Sequence, residues 1–226
     1  MKPRRRPRYR PIRLSAQPVD PPDVPRRRRH RRVGLLGGSF NPAHEGHLHI
    51  SLIALKTFGL DELWWLVAPQ NPLKSAAEMA PFAQRVEGAR RMAHGHRIRI
   101  CTIEDELGLR YTADTLAALK RRFRGNHFLW LMGADNLPSF TRWHRWAEIY
   151  RAVPVAVFDR HPYAAQVHAA VPSLRFAEYR IPERQSRRLV GMTPPAWVFL
   201  HIPLHAASAS AIRAARRAAA PRRKAS

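Results

Sequence analysis

Residues 33–49 read VGLLGGSFNPAHEGHLH, and this stretch decides the fold of the chain. A short apolar run over residues 33–36 predicts a buried strand, which ends at the glycine pair Gly37-Gly38. Asn41-Pro42 is a turn signal, and the apolar spacing that follows His47 predicts an amphipathic helix. A strand, a glycine turn and a helix N-terminus with histidines together form a suitable place to hold a phosphate group.

The rest of the chain alternates between strand signals and helix signals. Five further apolar runs have the length of buried strands: Leu63–Ala68, Ile98–Ile103, Phe128–Met132, Val153–Phe158 and Val198–Ile202. Helical spacing of apolar residues separates most of them: residues 45–58, Pro81–His94, Thr112–Phe123, Trp146–Ala152 and Ala209–Ala220. Residues 160–195 are rich in proline and predict irregular structure. This order predicts an α/β fold with a doubly wound, mostly parallel sheet.

Unusual residues cluster directly after several of the predicted strands. The clusters are residues 37–47, 69–74, 133–135 and 204–213. In a parallel sheet the carboxyl ends of the strands share one edge, and ligands bind there near the point where the strand order reverses. We therefore expect these clusters to converge on one crevice.

The formal net charge of +24 is concentrated at the two ends of the chain. Residues 1–32 hold 13 Lys and Arg against 2 Asp and Glu, whereas residues 33–212 hold 21 against 14. An arginine- and proline-rich segment with few apolar side chains cannot bury enough surface to offset its ordering entropy. We expect a disordered basic tail over residues 1–32, a folded domain over 33–217 and a second basic tail over 218–226.

The N-terminal sequence and the single cysteine both favour a reducing compartment. No apolar segment follows the N-terminal charges as a secretory signal peptide requires, and no run of about 18 apolar residues predicts a membrane span. Cys101 is the single cysteine of the sequence, so an internal disulfide is excluded and a buried core thiol is its expected role. We therefore expect a protein of a reducing compartment, the cytoplasm.

Two remote segments carry a family resemblance. GGSFNPAHEGH, residues 37–47, resembles the signature GGxFDPxHxGH of the nucleotidyltransferases that contain an HxGH motif, and SASAIR, residues 208–213, resembles their second signature, ISxTxxR. Four segments between them resemble one branch, the bacterial nicotinate-nucleotide adenylyltransferases: NPLK (71–74), RYTADTL (110–116), GAD (133–135) and WHRW (143–146). The resemblance implies a Rossmann-like nucleotidyltransferase domain over residues 33–217.

Four positions depart from the patterns of this family. Asn41 replaces the usual Asp of the first signature, and Leu73 stands where the loop after the second strand often has His. In the second signature, Ala207 replaces Ile and Ser210 replaces Thr. Asn41 and Ser210 keep a short polar side chain, which is compatible with the same chemistry.

The resemblance implies adenylyl transfer from ATP to nicotinate mononucleotide, which yields deamido-NAD and pyrophosphate in NAD biosynthesis. The phosphate of the mononucleotide attacks the α-phosphorus of ATP, so the enzyme needs no nucleophile of its own. It must align two anions and stabilise charge on the reacting phosphorus and on the leaving pyrophosphate. Mg²⁺ is expected with ATP, held largely by phosphate oxygens, so no dedicated metal ligands are expected in the chain.

His44, His47 and Arg213 are the expected catalytic residues. The two histidines share one face of a helix start, and we assign them to the ATP phosphates, with His47 nearest the α-phosphate. The planar guanidinium of Arg213 matches the geometry of the β- and γ-phosphates. The simpler alternatives are a helix cap or solvated histidines, and for Arg213 one more charge of a basic tail.

Eight further residues are expected around ATP. They are Gly37, Gly38, Ser39, Phe40, Lys74, Asp135, Ser208 and Ser210. The glycines allow backbone N–H groups to approach a phosphate, and the last two serines offer hydroxyl donors at the start of the last helix. Alternatives remain open: an ordinary strand-end turn for the glycines, apolar packing for Phe40, a solvated loop position for Lys74 and a helix cap for Asp135.

Thr112 and Trp143 resemble the nicotinate pocket of the family. A pyridine ring can stack on an indole, and backbone N–H groups near Thr112 can donate to a carboxylate. Donors suit the acid, whereas an amide also needs an acceptor. The nearest alternative is therefore an adenylyltransferase for nicotinamide mononucleotide or another small phosphate-bearing substrate. The Trp64-Trp65 pair and Trp146 are expected to pack in the core.

Two alternatives lie outside this family. A zinc site at HEGH lacks the HExxH order and nearby further ligands. A nucleic-acid-binding protein is suggested by the basic tails, which would bind polyanions without sequence preference. No RRM, KH, zinc-finger or helix-turn-helix signature is present, so we expect at most non-specific nucleic-acid binding through the tails. The sequence leaves the oligomeric state open.

Overall fold

A parallel sheet with helices on both faces forms the centre of the protein. The computed structural model describes residues 31–70, 79–159, 167, 169–203 and 212–213. The strands are β1 (Arg32–Gly38), β2 (Glu62–Val67), β3 (Ile98–Cys101), β4 (His127–Gly133), β5 (Val155–Phe158) and β6 (Trp197–Leu200). They are arranged in the order β3-β2-β1-β4-β5-β6, and every neighbouring pair is parallel.

Helices connect most of these strands. They are α1 (Glu45–Thr57), α2 (Phe82–Ala93), α3 (Ile103–Glu106), α4 (Thr112–Arg122), α5 (Leu137–Phe140), α6 (Trp146–Ala152) and α7 (Val171–Arg175). Short 3₁₀ segments lie at Ala134–Asn136, Ala177–Tyr179 and Glu183–Gly191. Ile212 and Arg213 are helical, at the place of the predicted last helix, whose other residues lie outside the described ranges. Among the described residues, no helix combines the length and the apolar character needed to cross a membrane.

Side chains of the strands alternate between two apolar cores, one on each face of the sheet. Trp65 lies in the core that α1 and α2 cover, together with Ala54 and Ala89. Trp64 lies in the core that α4 and α6 cover, together with Leu116. The sequence prediction of a doubly wound α/β fold is therefore confirmed, as is the core placement of the tryptophan pair.

The strand order reverses beside β1. The chain leaves β1 toward β2 and β3 on one side, returns to place β4 against β1, and then adds β5 and β6 on the other side. The carboxyl ends of β1 and β4 thus flank the switch point at which open α/β sheets bind ligands. The glycine turn after β1 and the segment Ala134–Asn136 after β4 both start at this point.

Some element boundaries differ from the predictions. β3 stops two residues early because the Thr102 carbonyl accepts a hydrogen bond from the Asp105 N–H and starts α3. β5 begins two residues late because Pro154 has no N–H to donate to the sheet. Residues 160–195, predicted to be irregular, contain α7 and two of the three 3₁₀ segments in their described part, and Leu189 is fully buried against the sheet.

The first strand begins slightly before the predicted start of the domain. β1 begins at Arg32, and Arg31 Nη1 forms an ion pair with Glu62 Oε2 at 3.1 Å. The predicted boundary at residue 33 therefore falls inside a strand. Residues 1–30 and 214–226 lie outside the described ranges, so the disorder of both tails stays a prediction.

Candidate active site

Two histidines cap the first helix. His44 is the N-cap residue of α1, and its Nδ1 accepts a hydrogen bond from the Gly46 N–H at 3.1 Å. His47 Nδ1 accepts from the His44 N–H at 3.2 Å, which completes a capping box. Because both Nδ1 atoms accept, the neutral imidazoles carry their protons on Nε2. The helix-cap alternative therefore accounts for the hydrogen bonds of both Nδ1 atoms, and a role of either imidazole in phosphate binding stays a prediction.

The two imidazoles rest on a stack of aromatic rings. Their centroids are 3.9 Å apart, and the His47 ring is 4.7 Å from that of Phe40, which stacks on Trp65 at 5.0 Å. Trp65 Nε1 donates to Ser51 Oγ at 2.8 Å, and Ser51 Oγ donates to the His47 carbonyl at 2.7 Å. Phe40 is 1% exposed, so its ring supports His47 from the core, as the packing alternative describes. A contact of Phe40 with nucleotide stays a prediction.

Arg213 reaches the first signature from the far end of the chain. Its Nη1 atom donates to the Asn41 carbonyl at 2.8 Å across 172 positions of sequence. Asn41 lies three residues before His44, so the structure brings Arg213 of the second signature to the first signature. The Asn41 side chain, which replaces the usual Asp, accepts at Oδ1 from the Ala80 N–H at 3.2 Å. A short polar side chain at position 41 therefore fixes the start of α2.

Arg85 connects the loops at this edge of the sheet through hydrogen bonds. The sequence did not predict this residue as part of the site. It is 3% exposed, and its guanidinium donates to four carbonyl oxygens at 2.6 to 3.0 Å. The acceptors are the carbonyls of Ser39, Ala68, Pro69 and Ala80. Burial lowers the pKa of Arg85 from its usual value. The available signal was an arginine in the apolar stripe of α2, in line with buried alanines one and two turns later.

A cavity of about 380 Å³ opens beside the glycine turn. Gly37, Gly38 and Ser39 line it from the end of β1, and Thr112 and Trp143 line it from the start of α4 and the loop before α6. The structure thus brings the two expected nicotinate-pocket residues together with three of the expected ATP residues. The assignment of ligands to these residues stays a prediction.

Gly37 is the position where the backbone is approached most closely. A Cβ atom there would lie 2.5 Å from Cη2 of Trp130, whose indole also lines the cavity. A Cβ atom at Gly38 would meet the Phe40 ring at 3.5 Å, an ordinary contact. The absence of a side chain at Gly37 therefore makes room for an indole of the neighbouring strand β4.

Trp143 is held by other aromatic rings. Its ring lies 4.9 Å from Phe140 and meets Trp130 edge to face at 6.5 Å. Glu104 lines the same cavity and accepts a hydrogen bond from Thr115 Oγ1 at 2.9 Å. Burial raises the pKa of the Glu104 carboxyl, and the Thr115 hydrogen bond partly opposes this.

The other expected residues are placed less favourably or not described. Lys74, Ser208 and Ser210 lie outside the described ranges, so their contacts with ATP stay predictions. Asp135 lies in the segment directly after β4, but the described lining of the cavity includes its neighbour Asn136 instead. The role of Asp135 on the adenosine side also stays a prediction.

The described residues offer no metal site, and their single cysteine is a core thiol. Within the described ranges, no three His, Cys, Asp or Glu side chains lie together in an arrangement that could hold a metal ion. Cys101 is partly buried against the core that Trp64 shares, and burial raises the pKa of its thiol to about 11. The thiol is therefore protonated at neutral pH and contributes to packing.

The site thus combines the switch point of a doubly wound sheet, a helix capped by His44 and the guanidinium of Arg213. The sequence profile of the family described as "Cytidylyltransferase-like" matches residues 35–215. A protein of Methylorubrum extorquens, described as "Probable nicotinate-nucleotide adenylyltransferase", is 50% identical over 182 residues, which cover 80% of this chain and 98% of the relative. A protein of a Caulobacter species with the same description is 48% identical over 80% of this chain and 96% of its own. The chain belongs to the cytidylyltransferase-like family and, within it, to the nicotinate-nucleotide adenylyltransferases.

Solved structures share the fold at low sequence identity. The structure described as "Plasmodium falciparum nicotinic acid mononucleotide adenylyltransferase complexed with NaAD" superposes with a TM-score of 0.62 at 16% identity and covers 82% of this chain and 83% of that chain. The same Plasmodium falciparum enzyme "complexed with APC" gives a TM-score of 0.60 at 15% identity over the same shares of both chains. These similarities establish the fold.

Proposed function

We propose that this protein transfers the adenylyl group of ATP to nicotinate mononucleotide and releases deamido-NAD and pyrophosphate, a reaction of NAD biosynthesis. Relatives that are about half identical carry the corresponding description, which supports the choice of reaction. The observation that carries the proposal is the contact of Arg213 with Asn41 beside the histidine pair. It gathers three phosphate-binding side chains at the switch point, next to a cavity suited to a second substrate.

The phosphate side of the site acts through positioned donors. A phosphate oxygen of the mononucleotide attacks the α-phosphorus of ATP, and the bond from that phosphorus to the bridging oxygen of pyrophosphate breaks. His47 and His44 direct Nε2–H groups at the phosphates, and Arg213 neutralises charge on the leaving pyrophosphate. Because the capping box fixes both imidazoles before substrate binds, little reorganisation is needed during the reaction.

The mononucleotide side of the site is the aromatic cavity. Trp143 offers an indole face for the pyridine ring, and the start of α4 at Thr112 offers backbone N–H groups to the carboxylate. The glycine turn connects this cavity to the histidines, so the mononucleotide phosphate is directed toward ATP.

Nucleotidyltransferases of this kind generally use a divalent metal together with ATP. For this chain we propose Mg²⁺, held by the ATP phosphates, because the side chains gathered at the phosphate end are nitrogen donors and cations rather than hard oxygen ligands. Bound in this way, Mg²⁺ supplies positive charge to phosphate oxygens.

We place the reaction in the cytoplasm, on the ground that a single cysteine favours a reducing compartment. ATP and nicotinate mononucleotide are the proposed ligands, and any binding of nucleic acid is expected to be non-specific and confined to the basic tails. These assignments rest on sequence composition together with the family.

One assay tests the proposal directly. Purified protein is incubated with ATP and Mg²⁺ and, in turn, with nicotinate mononucleotide, nicotinamide mononucleotide or phosphopantetheine, and pyrophosphate release is followed. We expect the highest kcat/KM with nicotinate mononucleotide. Inactivity with all three substrates contradicts the enzyme assignment, and a clear preference for either of the other two moves the protein to another member of the superfamily.

His47→Ala tests the phosphate side of the site. We expect kcat to fall by about a hundredfold, as when one preorganised donor is removed, with a much smaller change in the affinity for ATP. His94→Ala, at an exposed histidine after α2, is the matched control and is expected to leave both values unchanged. Equal effects of His47→Ala on kcat and on ATP binding remove His47 from a role in the transition state.

A further inference from the structure

Two short segments form facing walls of the aromatic cavity. One wall is Arg110-Tyr111-Thr112 at the start of α4, and the other is Arg142-Trp143-His144 in the loop before α6. The rings of Tyr111 and His144 approach to 4.4 Å across the walls. Each wall therefore contributes one arginine and aromatic groups to the same cavity.

The two walls are held together by a different arginine. Arg145 Nη1 forms an ion pair with Asp114 of α4 at 3.0 Å, and Arg145 also pairs with Glu148 of α6. This ion pair joins α4 to the residue that follows the second wall. The guanidinium of Arg145 therefore holds the two walls in place and is already paired with carboxylates.

Arg110 and Arg142 form no ion pair of this kind among the described residues. Both side chains are exposed, and neither guanidinium has a hydrogen-bond or ion-pair partner among the described residues. The indole N–H of Trp130, which lines the same cavity, is buried and has no acceptor within the described part of the chain. Among the described residues, two exposed cationic groups and one buried indole N–H of this cavity therefore lack a protein acceptor.

Negative charge in the cavity is scarce. Glu104 is the one acidic residue in the described lining, and it is buried and accepts a hydrogen bond from Thr115. The other side-chain acceptors of the lining are neutral, such as the amides of Gln70 and Asn136 and the hydroxyl of Ser139. A carboxylate ligand accepts hydrogen bonds at both oxygens and carries the opposite charge to the two guanidinium groups. A carboxamide has one acceptor oxygen and no charge, so it gains far less from two guanidinium groups than a carboxylate does.

We propose that Arg110 and Arg142 are specificity-determining residues that select the acid, nicotinate mononucleotide, over the amide, nicotinamide mononucleotide. The inference rests on the proposed function and adds to it a source of selection besides backbone N–H groups: long-range and direct attraction of the ring carboxylate by two unpaired guanidinium groups. Both mononucleotides carry the same phosphate, so the two substrates differ only at the group that this charge recognises.

The test compares the two mononucleotides in variants of the full chain. We measure kcat/KM with each substrate at saturating ATP for Arg110→Gln, Arg142→Gln and the double variant. Each single change is expected to lower kcat/KM for nicotinate mononucleotide by about tenfold, the size of one exposed charge-assisted hydrogen bond, and to leave that for nicotinamide mononucleotide unchanged. Arg142→Lys keeps the charge and is expected to retain most of the preference for the acid.

The control is a double variant with the same loss of charge outside the cavity. Arg121→Gln with Arg124→Gln removes two exposed arginines at the end of α4 and just beyond it, and it is expected to leave the ratio of the two kcat/KM values at that of the wild type. An equal fall with both mononucleotides in the Arg110 and Arg142 variants overturns the proposal, because the arginines would then serve the shared phosphate. An unchanged ratio overturns it as well. Failure of the proposed function is distinct, since the wild type itself would then use neither substrate.

Discussion

His44 has one observed task and one proposed task. Its Nδ1 caps α1 through the Gly46 N–H, and the proposed function assigns its Nε2–H to the ATP phosphates. Asp, Asn, Ser or Thr caps a helix equally well, so capping alone gives no reason for an imidazole at this position. The choice of histidine at the N-cap therefore favours a ligand role.

Replacement of His44 separates the two tasks. His44→Asn keeps an N-cap acceptor and is expected to hold the Tm near that of the wild type, while kcat falls by about a hundredfold with the loss of the Nε2–H donor. His44→Ala loses the cap as well and is expected to cost about 1 kcal/mol in the free energy of unfolding. Thermal unfolding and steady-state kinetics measure both effects. Wild-type turnover in His44→Asn would reduce the residue to a helix cap.

Single residues differ in how visible they were in the sequence. His44, His47 and Arg213 stand out because they belong to local patterns or to a family signature. Arg110 and Arg142 do not, because an exposed arginine in a basic chain looks like any other. Only the fold shows that the two face one cavity, which depends on the pairing of loops far apart in sequence.

The helix α2 depends on one buried arginine. Arg85 donates to carbonyls that belong to the loop after β1, the loop after β2 and the start of α2 itself. Asn41 accepts from the same start of α2 and also accepts from Arg213. One network of hydrogen bonds therefore links the glycine turn, α2 and the C-terminal signature.

Arg85→Met is expected to destabilise the protein strongly. The change leaves several buried carbonyl oxygens without a donor, and we expect the free energy of unfolding to fall by about 3 kcal/mol or more. Arg90→Met, at an exposed position of the same helix, makes the same chemical change without affecting buried acceptors and is expected to be nearly neutral. Urea unfolding of both variants is the measurement, and a similar midpoint for the two contradicts the role of Arg85.

The strands were predicted well from the sequence, because a single pattern, a continuous apolar run, identifies them. The strands carry continuous apolar runs, as strands buried on both faces must, and each was located to within a few residues. The segment after β5 was not, because 3₁₀ helices have no apolar period that a sequence displays clearly. Leu189 covers the sheet from such a segment, and only tertiary packing reveals it.

At the scale of the whole molecule, positive charge is concentrated in the two terminal segments of the sequence, 1–32 and 218–226. The described residues alone already form the switch point, the cavity and the hydrogen bonds of Arg85. Residues 1–30 bring 11 Lys and Arg against 2 Asp and Glu, a charge that attracts polyanions through release of counterions.

Deletion of residues 1–30 is expected to leave kcat/KM for both substrates nearly unchanged. The same deletion is expected to weaken retention on a heparin column, because most of the N-terminal positive charge is lost. Steady-state kinetics and elution salt concentration measure the two effects, with the Tm as the control for folding. A loss of turnover beyond an order of magnitude in the folded, shortened enzyme would give the tail a part in catalysis.

The hydrogen bond between Arg213 and Asn41 joins two residues that are synthesised far apart in time. Asn41 leaves the ribosome 172 residues before its partner, which at ordinary elongation rates is an interval of roughly ten to thirty seconds. All six strands have been made by then, so a nascent chain can assemble its sheet while the carbonyl of Asn41 is still hydrated. A product that terminates a dozen residues before Arg213 would keep the complete sheet and lack this closing bond. Under the proposed function, such a shortened product also lacks the guanidinium assigned to the leaving pyrophosphate.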